Sequence, residues 1–128
     1  MPSIEDVRRA IAKVPGVRLA LLFGSRARGT ERDDSDVDVA IDAPGVDRLT
    51  ASATLSAALQ LRVDVVDLRE ATIPLLEELL RDGVVAYEAS PGAAASWRSR
   101  ILAQLETDRP WYARIRDAWL ARVAEEGL

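Results

Sequence analysis

Neither cysteine nor histidine occurs among the 128 residues. The first absence rules out a disulfide framework and a thiol nucleophile. The second removes the imidazole of Ser-His and Cys-His dyads, and the two together remove the usual zinc cages. The chemistry of the chain must therefore rest on carboxylates, hydroxyls and guanidiniums. No stretch approaches the ~18 consecutive apolar residues of a membrane span. Met1-Pro2-Ser3-Ile4-Glu5-Asp6 carries acids where a signal peptide has basic and then apolar residues, so a cytoplasmic protein without membrane contact is expected. Basic residues are the minority, 17 against 21 acids, for a net charge of −4 and a pI near 4.9. That balance argues against direct nucleic-acid binding, while leaving room for a local patch that holds phosphates.

Hydrophobic periodicity and turn residues predict alternating helices and strands in one α/β domain of α+β type. Ser3 and Asp6 form a capping-box pattern, and Ile4, Val7, Ile11 and Val14 recur at helical spacing until Pro15-Gly16. Val17 to Phe23 is a compact apolar run suited to a buried strand, and Asp36 to Ile41 alternates with period two. Between them, residues 30–35 are polar and turn-forming. Asp47 is placed to cap a helix reaching about Leu61, Arg62 to Leu68 reads as a third strand, and Thr72 is placed to cap a helix closed by Asp82-Gly83. Val84 to Tyr87 reads as a fourth strand. A small-residue stretch over 90–95 then precedes a tail of one or two helices, with a break expected near Arg109-Pro110.

The informative feature is a set of acids on strands. Gly24-Ser25 closes the first strand, Asp36-Val37-Asp38 opens the second, and Asp64 lies on the third. Aspartate is disfavoured in strands, and like charges two residues apart on one face repel. A bound divalent cation would offset that cost. Hard cations such as Mg²⁺ take oxygen ligands, and Asp36, Asp38 and Asp64 suit that role. The bland alternative makes the acids a solvated edge, with Gly24-Ser25 an ordinary turn. An EF-hand is excluded, because Val39 stands where the loop needs glycine and Gly45 where it needs the bidentate glutamate.

Leu22-Phe23-Gly24-Ser25-Arg26-Ala27-Arg28-Gly29, Ser35-Asp36-Val37-Asp38-Val39-Ala40-Ile41 and Arg62-Val63-Asp64-Val65-Val66 together resemble the minimal nucleotidyltransferases of the polymerase-beta-like superfamily. The resemblance implies a mixed-sheet nucleotidyltransferase core flanked by helices over residues 1–90, followed by a helical tail at 91–128. It implies that Gly24 and Ser25 hold triphosphate oxygens and that Asp36 and Asp38 bind two Mg²⁺ ions. Asp64 matches the third acid, which binds the ion nearer the acceptor and takes its proton. Arg26 and Arg28 are candidates for phosphate pairing, with surface ion pairs to nearby acids an equal alternative.

ATP is the donor the resemblance implies. Many minimal nucleotidyltransferases pair with a HEPN-type ribonuclease toxin and adenylylate one of its tyrosines, which makes such a toxin the expected partner. Two other readings compete. One is adenylylation of a small hydroxylated molecule such as an antibiotic, and the other is an antitoxin that neutralises by contact alone. Four of the six aromatic residues, Trp97, Trp111, Tyr112 and Trp119, lie in the tail. Trp111 and Trp119 share a helical stripe with Ile115 and are the candidate partner contacts, whereas Trp97 is expected to complete the core.

Overall fold

The computed structural model describes residues 2–29 and 36–126, with the side chains of Arg26 and Arg28 outside the description. The polar turn expected over 30–35 falls outside the described residues. Helix α1 (Ile4–Ala12) starts at the anticipated capping box: Asp6 N–H donates to Ser3 Oγ at 3.1 Å and Ser3 N–H to Asp6 Oδ2 at 2.8 Å. This reciprocal pair satisfies two of the donors that a helix start leaves over. Strand β1 (Leu19–Phe23) is followed by one short turn of helix, α2 (Ser25–Arg28), and then by β2 (Val37–Asp42). Helix α3 (Arg48–Leu59) is capped by Asp47, which accepts from Thr50 N–H, and α4 (Ile73–Asp82) is capped by Thr72, which accepts from Leu75 N–H. Strand β3 (Val63–Asp67) lies between those helices, with a 3₁₀ turn at Leu68–Glu70, and β4 (Val84–Glu88) precedes the long helix α5 (Ala93–Glu126).

The four strands form one mixed sheet in the order β3-β2-β1-β4. β1 pairs antiparallel with both β2 and β4, and β2 pairs parallel with β3. Alternation along the strands divides the core in two. Val37, Val39, Val63 and Val65 meet Val7, Ile11 and Leu55 of α1 and α3 on one face. Leu19, Leu21 and Ala40 meet Leu76, Leu79, Trp97 and Leu105 of α4 and α5 on the other. By the same alternation Asp38, two residues before Ala40 on β2, shares the face of Ala40.

The expected break in the tail is absent. Helix α5 runs unbroken through Pro110. A proline inside a helix removes one bond to the carbonyl four residues back. That carbonyl belongs to Glu106, an exposed residue, and the sequence around the proline is rich in helix formers. Water can therefore serve the orphaned carbonyl, and the helix continues. The helix also begins inside the small-residue stretch, at Ala93. Trp97 and Leu105 are buried, as expected of Trp97, but beyond Leu105 no described residue of α5 is buried.

Candidate active site

The site begins where β1 ends. Phe23 stands opposite Asp38 in the antiparallel β1–β2 pair, so the turn that follows Phe23 is delivered to the start of β2. Gly24 in this turn has φ +77, a left-handed conformation that residues with a Cβ rarely adopt. A Cβ at Gly24 would run into the Asp38 carboxylate. Glycine is thus required here twice, for the turn and for the close approach of backbone to carboxylate. Ser25 follows at once and opens α2, which sets its residue beside the same carboxylate-bearing strand.

Asp64 reaches the site through the parallel pairing. Asp38 and Asp64 are register partners across β2 and β3, so their side chains leave the sheet on the same side. β3 is held from both flanks. On its inner side Val37 N–H donates to Arg62 C=O at 2.9 Å. On its outer side α3 supplies two serines: Ser52 Oγ donates to Val63 C=O, and Val63 N–H donates to Ser56 Oγ at 3.0 Å. The serines meet backbone groups that an edge strand would otherwise leave unpaired.

Asp36 lies one residue before β2, where the sequence pattern had included it in the strand. It is joined to Asp64 by a residue that sequence reasoning gave no role. Arg62 Nε is 3.2 Å from Asp64 Oδ1 and 3.9 Å from Asp36 Oδ2, so one guanidinium lies between a carboxylate of β3 and one at the entrance to β2. The available signal was the Arg-x-Asp spacing on a strand, which sets Arg62 and Asp64 on one face. Among the described residues no three acidic side chains converge as a ready cage. What the structure brings together is Asp38 beside Asp64, with Asp36 linked through Arg62. The side chains of Arg26 and Arg28 fall outside the description.

The donor set fits a hard divalent cation. It consists of carboxylate oxygens, it sits on neighbouring strands, and a cationic group already bridges two of its members. A separate cleft of about 450 Å³ lies between α1 and α3, lined by Asp6, Arg9, Lys13 and Leu59. It belongs to the opposite face of the sheet, and Arg9 there is paired with Asp6 at 2.8 Å. The carboxylates and the Gly24 turn lie away from this cleft.

A mixed four-stranded sheet with a Gly-Ser turn against paired strand aspartates defines a nucleotidyltransferase. The sequence profile of the polymerase beta nucleotidyltransferase domain matches residues 5–92, and the chain belongs to that family. The protein adenylyltransferase MntA of Shewanella oneidensis is 35% identical over 74 residues, covering 55% of this chain and 53% of MntA. The chain thus spans about half the length of that curated relative. A chain from a toxin–antitoxin crystal structure with AMP-PNP aligns at a TM-score of 0.70 and 25% identity, covering 92% of this chain and 99% of its own. The fold is shared as well with a structure of a tri-AMPylated Shewanella oneidensis HEPN toxin in complex with MNT antitoxin. That match has a TM-score of 0.62 and 24% identity, over 91% of this chain and 99% of the other. No helix among the described residues is long and apolar enough to cross a membrane.

Proposed function

We propose that this chain transfers AMP from ATP to a hydroxyl of a partner protein in the cytoplasm, a tyrosine of a HEPN-type ribonuclease toxin, and thereby acts as its antitoxin. The observation that carries the reading is the meeting of Gly24, Asp38 and Asp64 at one end of β1, β2 and β3. The relatedness to a protein adenylyltransferase and the fold shared with toxin–antitoxin structures support the choice of acceptor.

In this reading Asp36, Asp38 and Asp64 would hold two Mg²⁺ ions, whose chemistry there would be to offset charge on the phosphates and to make the acceptor hydroxyl more acidic. Gly24 keeps the turn free of a side chain so that triphosphate oxygens can approach the backbone, and Ser25 offers its hydroxyl to them. The acceptor oxygen attacks the α-phosphorus, the bond to the β-phosphate oxygen breaks, and pyrophosphate leaves. Asp64 takes the proton from the acceptor. Trp111 and Trp119, 58% and 59% exposed on α5, present aromatic surface to the partner.

Intact-mass measurement of the co-purified partner, with ATP and Mg²⁺ added or withheld, tests the reading. A partner that gains the mass of one or more adenylates with the wild-type chain and none with Asp38→Asn is expected. An unmodified partner that is still neutralised would replace catalysis by contact. Capture of no partner, with adenylate appearing on a small hydroxylated compound, would replace the acceptor.

A further inference from the structure

Arg62 stands between two carboxylates of the site, and its position is set by the fold. Val37 N–H holds the Arg62 carbonyl at 2.9 Å, which places Arg62 across from Asp36. Two residues on, Asp64 lies on the same face of β3. The guanidinium therefore meets Asp64 at 3.2 Å and Asp36 at 3.9 Å without leaving its own strand. Its side chain is 74% exposed, so it has room to swing away into water.

We propose that Arg62 is the resident counter-ion of the carboxylate cluster and competes with the divalent cation for it. This rests on the metal-dependent reading above. Without a metal ion, Arg62 offsets the repulsion among Asp36, Asp38 and Asp64 and keeps Asp36 and Asp64 aligned. When a dication takes those oxygens, the guanidinium is displaced toward solvent, where the phosphates of an incoming nucleotide are its natural anionic partners. Arg62 is then a positioning residue that makes metal binding and nucleotide binding mutually dependent. Metal alone must expel a cation, whereas metal arriving with a triphosphate provides that cation with a new anion.

The test is Mn²⁺ binding, followed by electron paramagnetic resonance, to the wild-type chain and to Arg62→Gln, each with and without AMP-PNP. Arg62→Gln is expected to bind Mn²⁺ alone about three- to tenfold more tightly, the scale of an exposed ion pair. It is also expected to lose much of the gain that AMP-PNP gives the wild type. Arg8→Gln, on α1 and paired with Glu5, controls for net charge and should shift affinity far less. A melting temperature lowered in chelator and restored by Mg²⁺ would show that the substituted chain is folded but short of its counter-ion. Unchanged or weaker Mn²⁺ binding by Arg62→Gln, with normal binding by the wild type, would overturn the role of Arg62 alone. Absence of Mn²⁺ binding by the wild type, with and without AMP-PNP, would overturn this inference and the metal-dependent function together.

Discussion

Asp38 and Asp64 are register partners on the parallel strands β2 and β3, two carboxylates delivered to one side of the sheet by backbone pairing alone. Like charges placed side by side on a sheet cost stability, a cost that a bound dication would offset. Replacing Asp64 by Asn should separate the two effects. In metal-free buffer the chain is expected to stay within about 1 kcal/mol of wild-type stability, because the lost repulsion offsets the lost pairing with Arg62. Adenylate transfer is expected to fall by more than about 100-fold, the upper end of what outer-shell changes around metals produce. Urea unfolding and a transfer assay on the same sample check both.

Gly24→Ala is expected to damage the site and the fold at once. The left-handed backbone alone costs an alanine about 1–2 kcal/mol, and the new methyl group would push the Asp38 carboxylate from its place. Urea unfolding should register the first effect and loss of nucleotide binding the second. Gly29, also left-handed but with nothing near its Cβ position among the described residues, should show the backbone cost without the loss of binding when replaced by alanine.

Ser56 supplies an acceptor to Val63 N–H at the outer edge of β3, and Val63 is 1% exposed. Ser56→Ala leaves that donor without its partner and is expected to cost about 1–3 kcal/mol. Hydrogen exchange should localise the loss to β3, with faster exchange at Val63 than in β1. Because Asp64 follows directly in the chain, metal affinity should fall as well.

Trp111 and Trp119 are expected to behave as surface residues of the free protein. Replacing both by alanine should change stability by no more than about 0.5 kcal/mol per site. Affinity for the protein partner is expected to drop at least about tenfold, which a pull-down or titration with the partner would read. A stable, fully binding double variant would remove α5 from the interface.

Acid should weaken the fold through three aspartates. The backbone N–H and hydroxyl of Ser3 hold Asp6 below the usual carboxylate range, the Thr50 hydroxyl and N–H do so for Asp47, and the Arg69 guanidinium does so for Asp67. A carboxyl with a depressed pKa in the folded state contributes stability that is complete above its unfolded value. That contribution is lost as pH falls through the folded value. Stability should thus be flat in these groups above about pH 5 and decline from about pH 4 downward. Asp47→Asn keeps a capping oxygen but no charge, and should make the decline shallower in urea titrations.

Much of this architecture could be read directly from residue patterns. The caps at Ser3, Asp47 and Thr72 stand where the sequence predicts them, and the four strands coincide with the apolar or alternating runs that mark them, β2 and β4 each ending one residue later than the run. Local rules suffice there, because a cap or a period is settled within a few residues. The mixed sheet was legible only through the family resemblance, since no local signal says that β2 runs parallel to β3 and antiparallel to β1. Pro110 misleads for a related reason: its local penalty is real, but the exposed surroundings and long helical context outweigh it. Asp36, Asp38 and Asp64 were visible as acids on strands. The place of Arg62 among them depends on strand register, which only the folded chain supplies.

The outer edge of β3 has one further consequence. A sheet margin invites a strand from another molecule, and charged side chains along it deter that visitor. Arg62, Asp64 and Asp67 all lie on or beside this margin, and the serines of α3 close it at Val63. Arg62 and Asp64, which would serve phosphate chemistry, would thus also protect the chain from sticking to itself. Silencing the site by amide substitution should leave a soluble protein, whereas replacing the same acids with valine or isoleucine would extend an apolar strand at an open border and favour aggregation.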